Sequence, residues 1–485
     1  MTAGGRDGDR VVGADGETAV EMKPVWPWAR DVDAALDRRR EELFALTERL
    51  IAFETPCPPG RNTTAIQEFL AERLRALDAE VAMYPLYPGD PQLVARLAGR
   101  GGANVIVAGE SDAGRSAGRR SLLINGHVDV AATARDEPWT SPPFRPVRRD
   151  GRIYGRGATD MKGGIAAAIV ALETVVAAVG RPRGDIVVQF VTGEEMGEAG
   201  TLTALDHSPR TDLALVVEPS SGEISLGQGG VVTGWITIQS PETFHDALRR
   251  RMIHAGGGVR GASAIEKMMV VLEALQTLER HWAVVKSHPG FPPGTTTINP
   301  AAIEGGRHPA FIADRCALWI TVHFYPGETM AGVTREIEAA VRAAAAADPW
   351  LRDHPPVFRW GGRSMIEDRG EVFPAFETPP DHPGAVLLAA AHADVRGERP
   401  GRRTSGGVCD AGWLAARGTP AVVYGPGGWG QAHAVNEYVA LDDLVRCARV
   451  YSRFIAAWCG IDDTACVNSR TAAGDPRAGG VATGA

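Results

Sequence analysis

The sequence has few lysines and no long apolar run. Only four of its 51 basic residues are lysines, and the net charge is −8. The arginines form no basic stripe, so we expect no nucleic-acid partner. The most apolar stretch, residues 165–180, is interrupted by Glu173. It is therefore shorter than the 18 or so apolar residues of a membrane-spanning helix, and we expect no membrane partner.

Cysteine pairing and a secretory signal are also missing. The six cysteines contain no C-x-x-C pair, which argues against a zinc knuckle and against a disulfide framework. The first 20 residues are rich in glycine and charge and lack the apolar segment of a secretory signal. We therefore expect reduced thiols and a cytoplasmic protein.

The composition is that of a globular protein with several domains. The chain has 485 residues, 44% hydrophobic and 23% charged. Short β-branched runs alternate with amphipathic stretches, which predicts an α/β fold with a mostly parallel sheet. Residues 229–345 instead show a β-α-β-β-α order, which predicts an inserted α+β domain. We further predict a flexible leader at residues 1–27 and a flexible tail at 467–485. Residues 28–228 and 346–466 would together form the main, catalytic domain.

Four apolar runs each end in residues that can bind a metal ion or move a proton. These residues are His127 with Asp129, Glu194 with Glu195, Glu218, and His433, while Asp160 lies in a glycine-rich loop before a predicted helix. In an open α/β sheet the carboxyl ends of the strands share one edge, where ligands bind. The sequence therefore predicts that these side chains meet in space.

The set of residues matches the needs of a two-metal site. Two divalent ions about 3.5–4 Å apart need a bridging carboxylate and one imidazole plus one carboxylate each. One acid, Glu194, is then left to move protons beside the ligands. Asp129 would accept the second imidazole N–H of His127 and fix its tautomer. Each residue alone has a simpler interpretation, since H-x-D pairs and Glu-Glu pairs are common in loops.

The motifs resemble those of a known enzyme family. They are NGHVDV, GRGATDMKGG, TGEEMGEAGT, VVEPS, TINPAAIEGG and QAHAVNE, spread between residues 45 and 460. In this order they are similar to the dinuclear zinc amidohydrolases and peptidases that include acetylornithine deacetylase, succinyl-diaminopimelate desuccinylase, aminoacylase and glutamate carboxypeptidase. The resemblance implies a metal-dependent deacylase whose catalytic domain is interrupted by a lid domain, through which two chains form a homodimer.

The resemblance also implies roles for individual residues. It assigns His127 and Glu218 to one zinc ion, Glu195 and His433 to the other, and Asp160 as the bridge. Glu194 would be the general base and acid, and the Asp160–Met161 peptide bond would be cis. Cobalt or manganese would suit the same ligands.

Two further residues would stabilise the transition state from the lid. The segment 252–267 is similar to the family's H-A-G segment and identifies His254 as an oxyanion donor, assisted by Asn299. His245 is the alternative, because extra residues at 240–252 come before His254 and leave the local alignment with the family open.

Two arginines that hold the substrate carboxylate in N-acyl amino acid deacylases are missing at their expected positions. Those positions are His323 and Gly412, although Arg402 and Arg403 lie nearby and could substitute. Together with the HAGGG and HFYP segments, this departure resembles the subgroup that includes formylaminopyrimidine deformylase. We therefore expect a small N-acyl amine substrate such as an N-formyl aminopyrimidine.

Three alternatives to this interpretation exist, of which the sequence leaves the first open and disfavours the other two. The first is an N-acyl amino acid deacylase, such as acetylornithine deacetylase, or a carboxypeptidase. The second is a nucleotide-binding oxidoreductase, because residues 425–430, GPGGWG, satisfy G-x-G-x-x-G. The third is a metal-binding protein without activity, although Glu194 and all five candidate ligands are present.

Overall fold

The computed structural model of the chain describes residues 26–101, 119–250 and 261–461. The α-helices among these residues are α1 (Ala29–Arg38), α2 (Arg40–Ile51), α3 (Thr64–Arg75), α4 (Lys162–Val179), α5 (Gly200–Asp206), α6 (Ala264–Val285), α7 (Met330–Ala347), α8 (Pro383–Arg396), α9 (Ala411–Ala416) and α10 (Leu441–Cys459).

The strands fall into two main sheets and two small ones. In chain order they are β1 (Pro56–Cys57), β2 (Glu80–Tyr87), β3 (Asp90–Leu97), β4 (Leu122–His127), β5 (Val130–Ala131), β6 (Val147–Arg149), β7 (Arg152–Tyr154), β8 (Ile186–Val191), β9 (Leu213–Val216), β10 (Ile224–Gln228), β11 (Gly230–Gln239), β12 (Ile298–Gly305), β13 (Arg315–Phe324), β14 (Val357–Trp360), β15 (Val372–Phe373), β16 (Phe376–Glu377), β17 (Arg402–Ser405), β18 (Ala421–Val423) and β19 (Tyr438–Ala440).

The larger sheet has nine strands in the order β16-β10-β18-β9-β4-β8-β3-β2, with β17 beside β10. Its centre, β18-β9-β4-β8, is parallel. The strands at both sides of this centre join it in antiparallel fashion. The predicted α/β class is confirmed. The apolar runs that precede the candidate ligands form the parallel strands of this sheet.

Helix α4 lies in the core of this layer and packs against α10, α1 and α2. By length and composition it is the one helix of the described ranges that could cross a membrane, yet it is mostly buried inside the protein. Its acidic residue, Glu173, accepts hydrogen bonds from Arg73 at 2.7 and 2.8 Å and also pairs with Arg39. The charge in the middle of the apolar run is therefore compensated by two arginines.

The second sheet has the order β12-β13-β11-β14, with β15 also paired to β11. Apolar side chains of β11 and β13 pack against α6 and α7 in a core of their own. The elements up to α7 follow the β-α-β-β-α order that the sequence predicts. The domain boundary at residue 345 stays a prediction. Strands β14 and β15 lie after this residue in the sequence, and they extend the second sheet.

Candidate metal centre

The parallel strands bring the candidate ligands to one edge of the larger sheet. His127 ends β4, Glu194 and Glu195 form a 3-10 turn after β8, and Glu218 follows β9. His433 lies beyond β18, after a loop and a short 3-10 helix at Trp429–Gln431. Because β18, β9, β4 and β8 are neighbours, their carboxyl ends meet, as predicted.

Asp160 stands between two histidine–glutamate pairs. Its Oδ1 lies 3.1 Å from Nε2 of His127, and its Oδ2 lies 3.4 Å from Nε2 of His433. His127 Nε2 is 3.4 Å from Oε1 of Glu218, while His433 Nε2 is 2.7 Å from Oε2 of Glu195. The two oxygens of one carboxylate thus face two separate donor groups. The Asp160–Met161 peptide bond is cis, as the resemblance implies.

The charges of this cluster fit a pair of divalent cations. Burial, reinforced by the charge of Asp160, raises the pKa of Glu218 to about 8. Oε2 of Glu218 is buried without a hydrogen-bond partner among the described residues. Hydrogen bonds to Asp160 and Glu195 raise the pKa of His433 to about 10. Buried acids crowded in this way are stabilised by compensating positive charge, and imidazole with carboxylate is a donor set that suits zinc.

Asp129 supports the centre in a different way from the one predicted. Nδ1 of His127 lies 3.0 Å from the main-chain oxygen of Asp129, whereas the carboxylate oxygen Oδ1 is 3.7 Å away. The carboxylate instead accepts a hydrogen bond from the main-chain N–H of Glu195 at 3.1 Å. Asp129 therefore contacts one candidate ligand through its backbone and another through its side chain.

Glu194 lies beside the two pairs. Its Oε2 is 3.9 Å from Nε2 of His127, so it is near the centre without belonging to either pair. Its turn is flanked by Gly193 and Gly197, both in the left-handed conformation that glycine adopts without strain. Burial raises the pKa of Glu194 well above its ordinary value. A carboxyl group in this position can exchange protons with a reacting water.

The predicted substrate residues lie in the second sheet. Asn299 in β12 pairs with Thr321, and His323 in β13 pairs with Val231. Within the described residues, no hydrogen bond or ion pair joins either side chain to the metal centre. His254 lies outside the described residues, so its role stays a prediction. The alternative, His245, is exposed, and its ring stands edge-on to that of Phe311.

Two buried acidic residues near the centre were not among the predicted site residues. Glu437 is fully buried and accepts a hydrogen bond from the main-chain N–H of Asp160 at 3.0 Å. Asp410 is also buried, and burial raises its pKa to about 6. Glu437 is part of the QAHAVNE motif, and this membership was the one feature of the sequence that could have pointed to it. Asp410 belongs to none of the motifs named above.

An α/β sheet with two imidazoles and several carboxylates at its carboxyl edge is typical of enzymes that use two metal ions. The chain belongs to the peptidase family M20/M25/M40, whose profile matches residues 123–457. The segment 425–430 forms a loop and the start of a 3-10 helix, so it opens no nucleotide-binding helix. The alternative of an oxidoreductase is therefore wrong.

Similar proteins support the same class. The chain is 50% identical over 424 residues to N-formyl-4-amino-5-aminomethyl-2-methylpyrimidine deformylase of Bacillus subtilis strain 168, covering 87% of this chain and 96% of the relative. It is 30% identical over 425 residues to succinyl-diaminopimelate desuccinylase of Alkalilimnicola ehrlichii, covering 84% and 97%. The predicted enzyme class, a metal-dependent amidohydrolase, is confirmed.

A solved structure shows the same fold. It is a dinuclear metal-binding peptidase of the M20 family from Bacillus subtilis, with a TM-score of 0.57 and 14% identity. The match covers 86% of this chain and 98% of that one.

Proposed function

We propose that this enzyme hydrolyses the formamide of N-formyl-4-amino-5-aminomethyl-2-methylpyrimidine to formate and the free amine. The observation that carries the proposal is the 50% identity to a deformylase over 96% of that relative's length. Related deacylases carry arginine at the positions of His323 and Gly412. The residues found there in this chain support the proposal independently.

Gly412 leaves no room for an arginine. A Cβ atom built on Gly412 would lie 2.0 Å from the main-chain oxygen of Pro374 and 2.9 Å from Nε2 of Gln228. These distances are far below van der Waals contact, so any side chain here would displace the start of α9 or the segment before β16. A carboxylate-binding guanidinium at this position is incompatible with the packing.

At two of the other positions, His323 and Arg403, the positive charge is small or already paired with a carboxylate. Burial lowers the pKa of His323 from its ordinary value, so that its ring is neutral near pH 7. Arg403, one of the possible substitutes, has Nη1 3.4 Å from Oε2 of Glu223. These features favour a substrate without an α-carboxylate, as an N-formyl aminopyrimidine is.

Trp429 is a candidate partner for the aromatic ring of the substrate. Trp429 lies four residues before His433, and its ring is 4.0 Å from a Cβ built on Gly407. A Cβ on the preceding Gly406 would meet no atom within 4 Å. Nε1 of Trp429 is buried without a hydrogen-bond partner among the described residues. We propose that this indole packs against the pyrimidine ring and that its N–H can donate to it.

The residues of the centre would divide the chemistry as follows. His127 with Glu218 and His433 with Glu195 would each hold one ion, most fittingly Zn²⁺, and Asp160 would bridge them. When bound, the ions would supply Lewis acidity, which would lower the pKa of a bound water towards about 7 and polarise the formyl oxygen. Glu194 accepts the proton of the attacking water and delivers it to the amine nitrogen as the C–N bond breaks.

The second sheet would complete the site. His254 would donate to the developing oxyanion with the help of Asn299, and His323 would contact the substrate. A homodimer through this part of the chain is supported by exposed apolar side chains on α6, namely Met269, Val284 and Val285. The cytoplasmic location also stays a prediction.

The test is amine release by zinc-loaded protein, with the formylated pyrimidine and N-acetylornithine compared at equal concentration. Turnover of the pyrimidine alone is expected. Turnover of acetylornithine alone would overturn the proposal, because it would require a carboxylate-binding cation that we do not assign. Glu194→Gln is the matched control, with kcat lowered by about 10²–10⁴ and metal content unchanged.

A further inference from the structure

A fully buried ion pair joins the two loops that carry Asp160 and His433. Nη1 of Arg156 lies 2.8 Å from Oε2 of Glu437, and both residues are almost inaccessible to solvent. Arg156 follows β7, and Glu437 precedes β19. These strands pair in antiparallel fashion, with Tyr154 opposite Tyr438. The pair therefore lies at the point where the two ligand loops leave a shared ribbon.

The Glu437 carboxylate fixes the loop of Asp160. Its Oε1 accepts hydrogen bonds from the main-chain N–H groups of Thr159 at 2.8 Å and Asp160 at 3.0 Å. Its Oε2 accepts a third from Gly157 at 3.1 Å. A carboxylate that collects several N–H groups holds a turn more firmly than neutral acceptors do, because hydrogen bonds to a charge are stronger.

The Arg156 guanidinium fixes the loop of His433. Nη2 donates to the main-chain oxygen of His433 at 3.2 Å, and Nη1 donates to that of Ala434 at 3.3 Å. His433 itself has a φ of 60°, a conformation that is unfavourable for a residue with a side chain. The contacts of Arg156 hold the chain in this conformation, from which the imidazole reaches Glu195 and Asp160.

We propose that Arg156 and Glu437 are positioning residues that hold Asp160 and His433 in place to bind the two metal ions. They do so because one charged group holds the main chain at Asp160, the other holds it at His433, and the two groups bind each other. The inference rests on the proposed two-metal function. Neither side chain contacts the substrate in this proposal, so neither is a catalytic residue.

The test measures metal binding rather than turnover. Zn²⁺ affinity is measured by competition with a chromophoric chelator, and the absorption bands of the Co²⁺-loaded protein report the ligand geometry. We expect Glu437→Gln and Arg156→Met to weaken binding by about 10- to 100-fold and to change the Co²⁺ bands. If the pair acts as one unit, the double variant loses little more than the worse single variant.

Arg453→Met is the matched control. Arg453 is also buried and charged, but its partners are Asp33 and Asp394, which belong to neither ligand loop. It should lower thermal stability and leave Zn²⁺ affinity and the Co²⁺ bands within twofold of the wild type. This result would separate positioning from a purely structural contribution.

Conservative variants keep the test decisive where Glu437→Gln fails to fold. Glu437→Asp and Arg156→Lys retain the charges, and we expect them to recover part of the lost affinity. Wild-type affinity in every folded variant would overturn the inference. A wild-type protein that binds two ions but releases no formate would overturn the proposed function alone.

Discussion

His433 Nε2 lies 2.7 Å from Oε2 of Glu195, although the two residues belong to loops that are far apart in the sequence. Glu195 follows β8, a central strand of the larger sheet, whereas His433 follows β18, and two strands, β9 and β4, lie between them. The two side chains lie close together because the loops that follow parallel strands begin at the same edge of the sheet. This proximity supports the proposal that this pair forms one half of the two-metal centre.

Removal of this imidazole should empty one metal position. We expect His433→Ala to bind about one zinc ion per chain after dialysis where the wild type binds two, because Glu195 and the bridging Asp160 alone make a poor site. Metal analysis by mass spectrometry measures the difference. His245→Ala, at an exposed histidine of the second sheet region, should retain both ions. Two ions in His433→Ala would contradict the assignment.

Packing at Gly412 predicts a loss of stability on the smallest substitution. Gly412→Ala places a methyl group 2.0 Å from the Pro374 oxygen, and overpacking of this kind costs about 1–3 kcal/mol. Urea unfolding of metal-free protein measures the change. Gly406→Ala is the control, since its methyl group meets no atom within 4 Å, and it should stay within about 0.5 kcal/mol. Equal stabilities would remove the packing argument against an arginine here.

The sequence predicted the part of the site that depends on strand ends. His127 and Glu218 each follow an uninterrupted apolar run, and such runs form the buried parallel strands of an α/β sheet. Their meeting at one edge follows from sheet topology alone. The loop residues Asp160 and His433 could be placed because glycine-rich loops bracket them.

The features of the site and fold that could not be predicted from the sequence depend on main-chain groups and on very short strands. The acceptor for Nδ1 of His127 is a main-chain oxygen, which every residue possesses. Glu437 acts on main-chain N–H groups, so no partner side chain marks it in the sequence. Strands β14 and β15 have four and two residues, too few for an alternating pattern to be recognised.

Trp429 should determine affinity for the aromatic substrate. Loss of ring packing in Trp429→Ala removes about 0.5–1.5 kcal/mol, and we therefore expect KM for the formylated pyrimidine to rise up to about tenfold with kcat little changed. Trp429→Phe should recover most of the affinity. Trp360→Phe is the control, because Trp360 donates to Glu338 within the second sheet's layer. A fall in kcat alone would indicate instead that Trp429 positions His433.

His392 should make the stability of the metal-free protein depend on pH. It is buried in α8 with Nδ1 2.9 Å from the Tyr424 hydroxyl, and burial, with the charge of Arg396, lowers its pKa to about 4. In the unfolded chain the pKa is about 6.5. Between these values the unfolded state binds a proton that the folded state does not, so stability falls as the pH drops from about 6.5 to about 4.

The measurement is the free energy of unfolding of His392→Gln and of wild type over this pH range. We expect the variant, which has no imidazole to protonate, to lose stability less steeply than the wild type as the pH falls. His281→Gln, at an exposed histidine of α6, should follow the wild-type slope. Parallel curves for His392→Gln and wild type would show that the imidazole titrates alike in both states, which contradicts its burial as a neutral group against Tyr424.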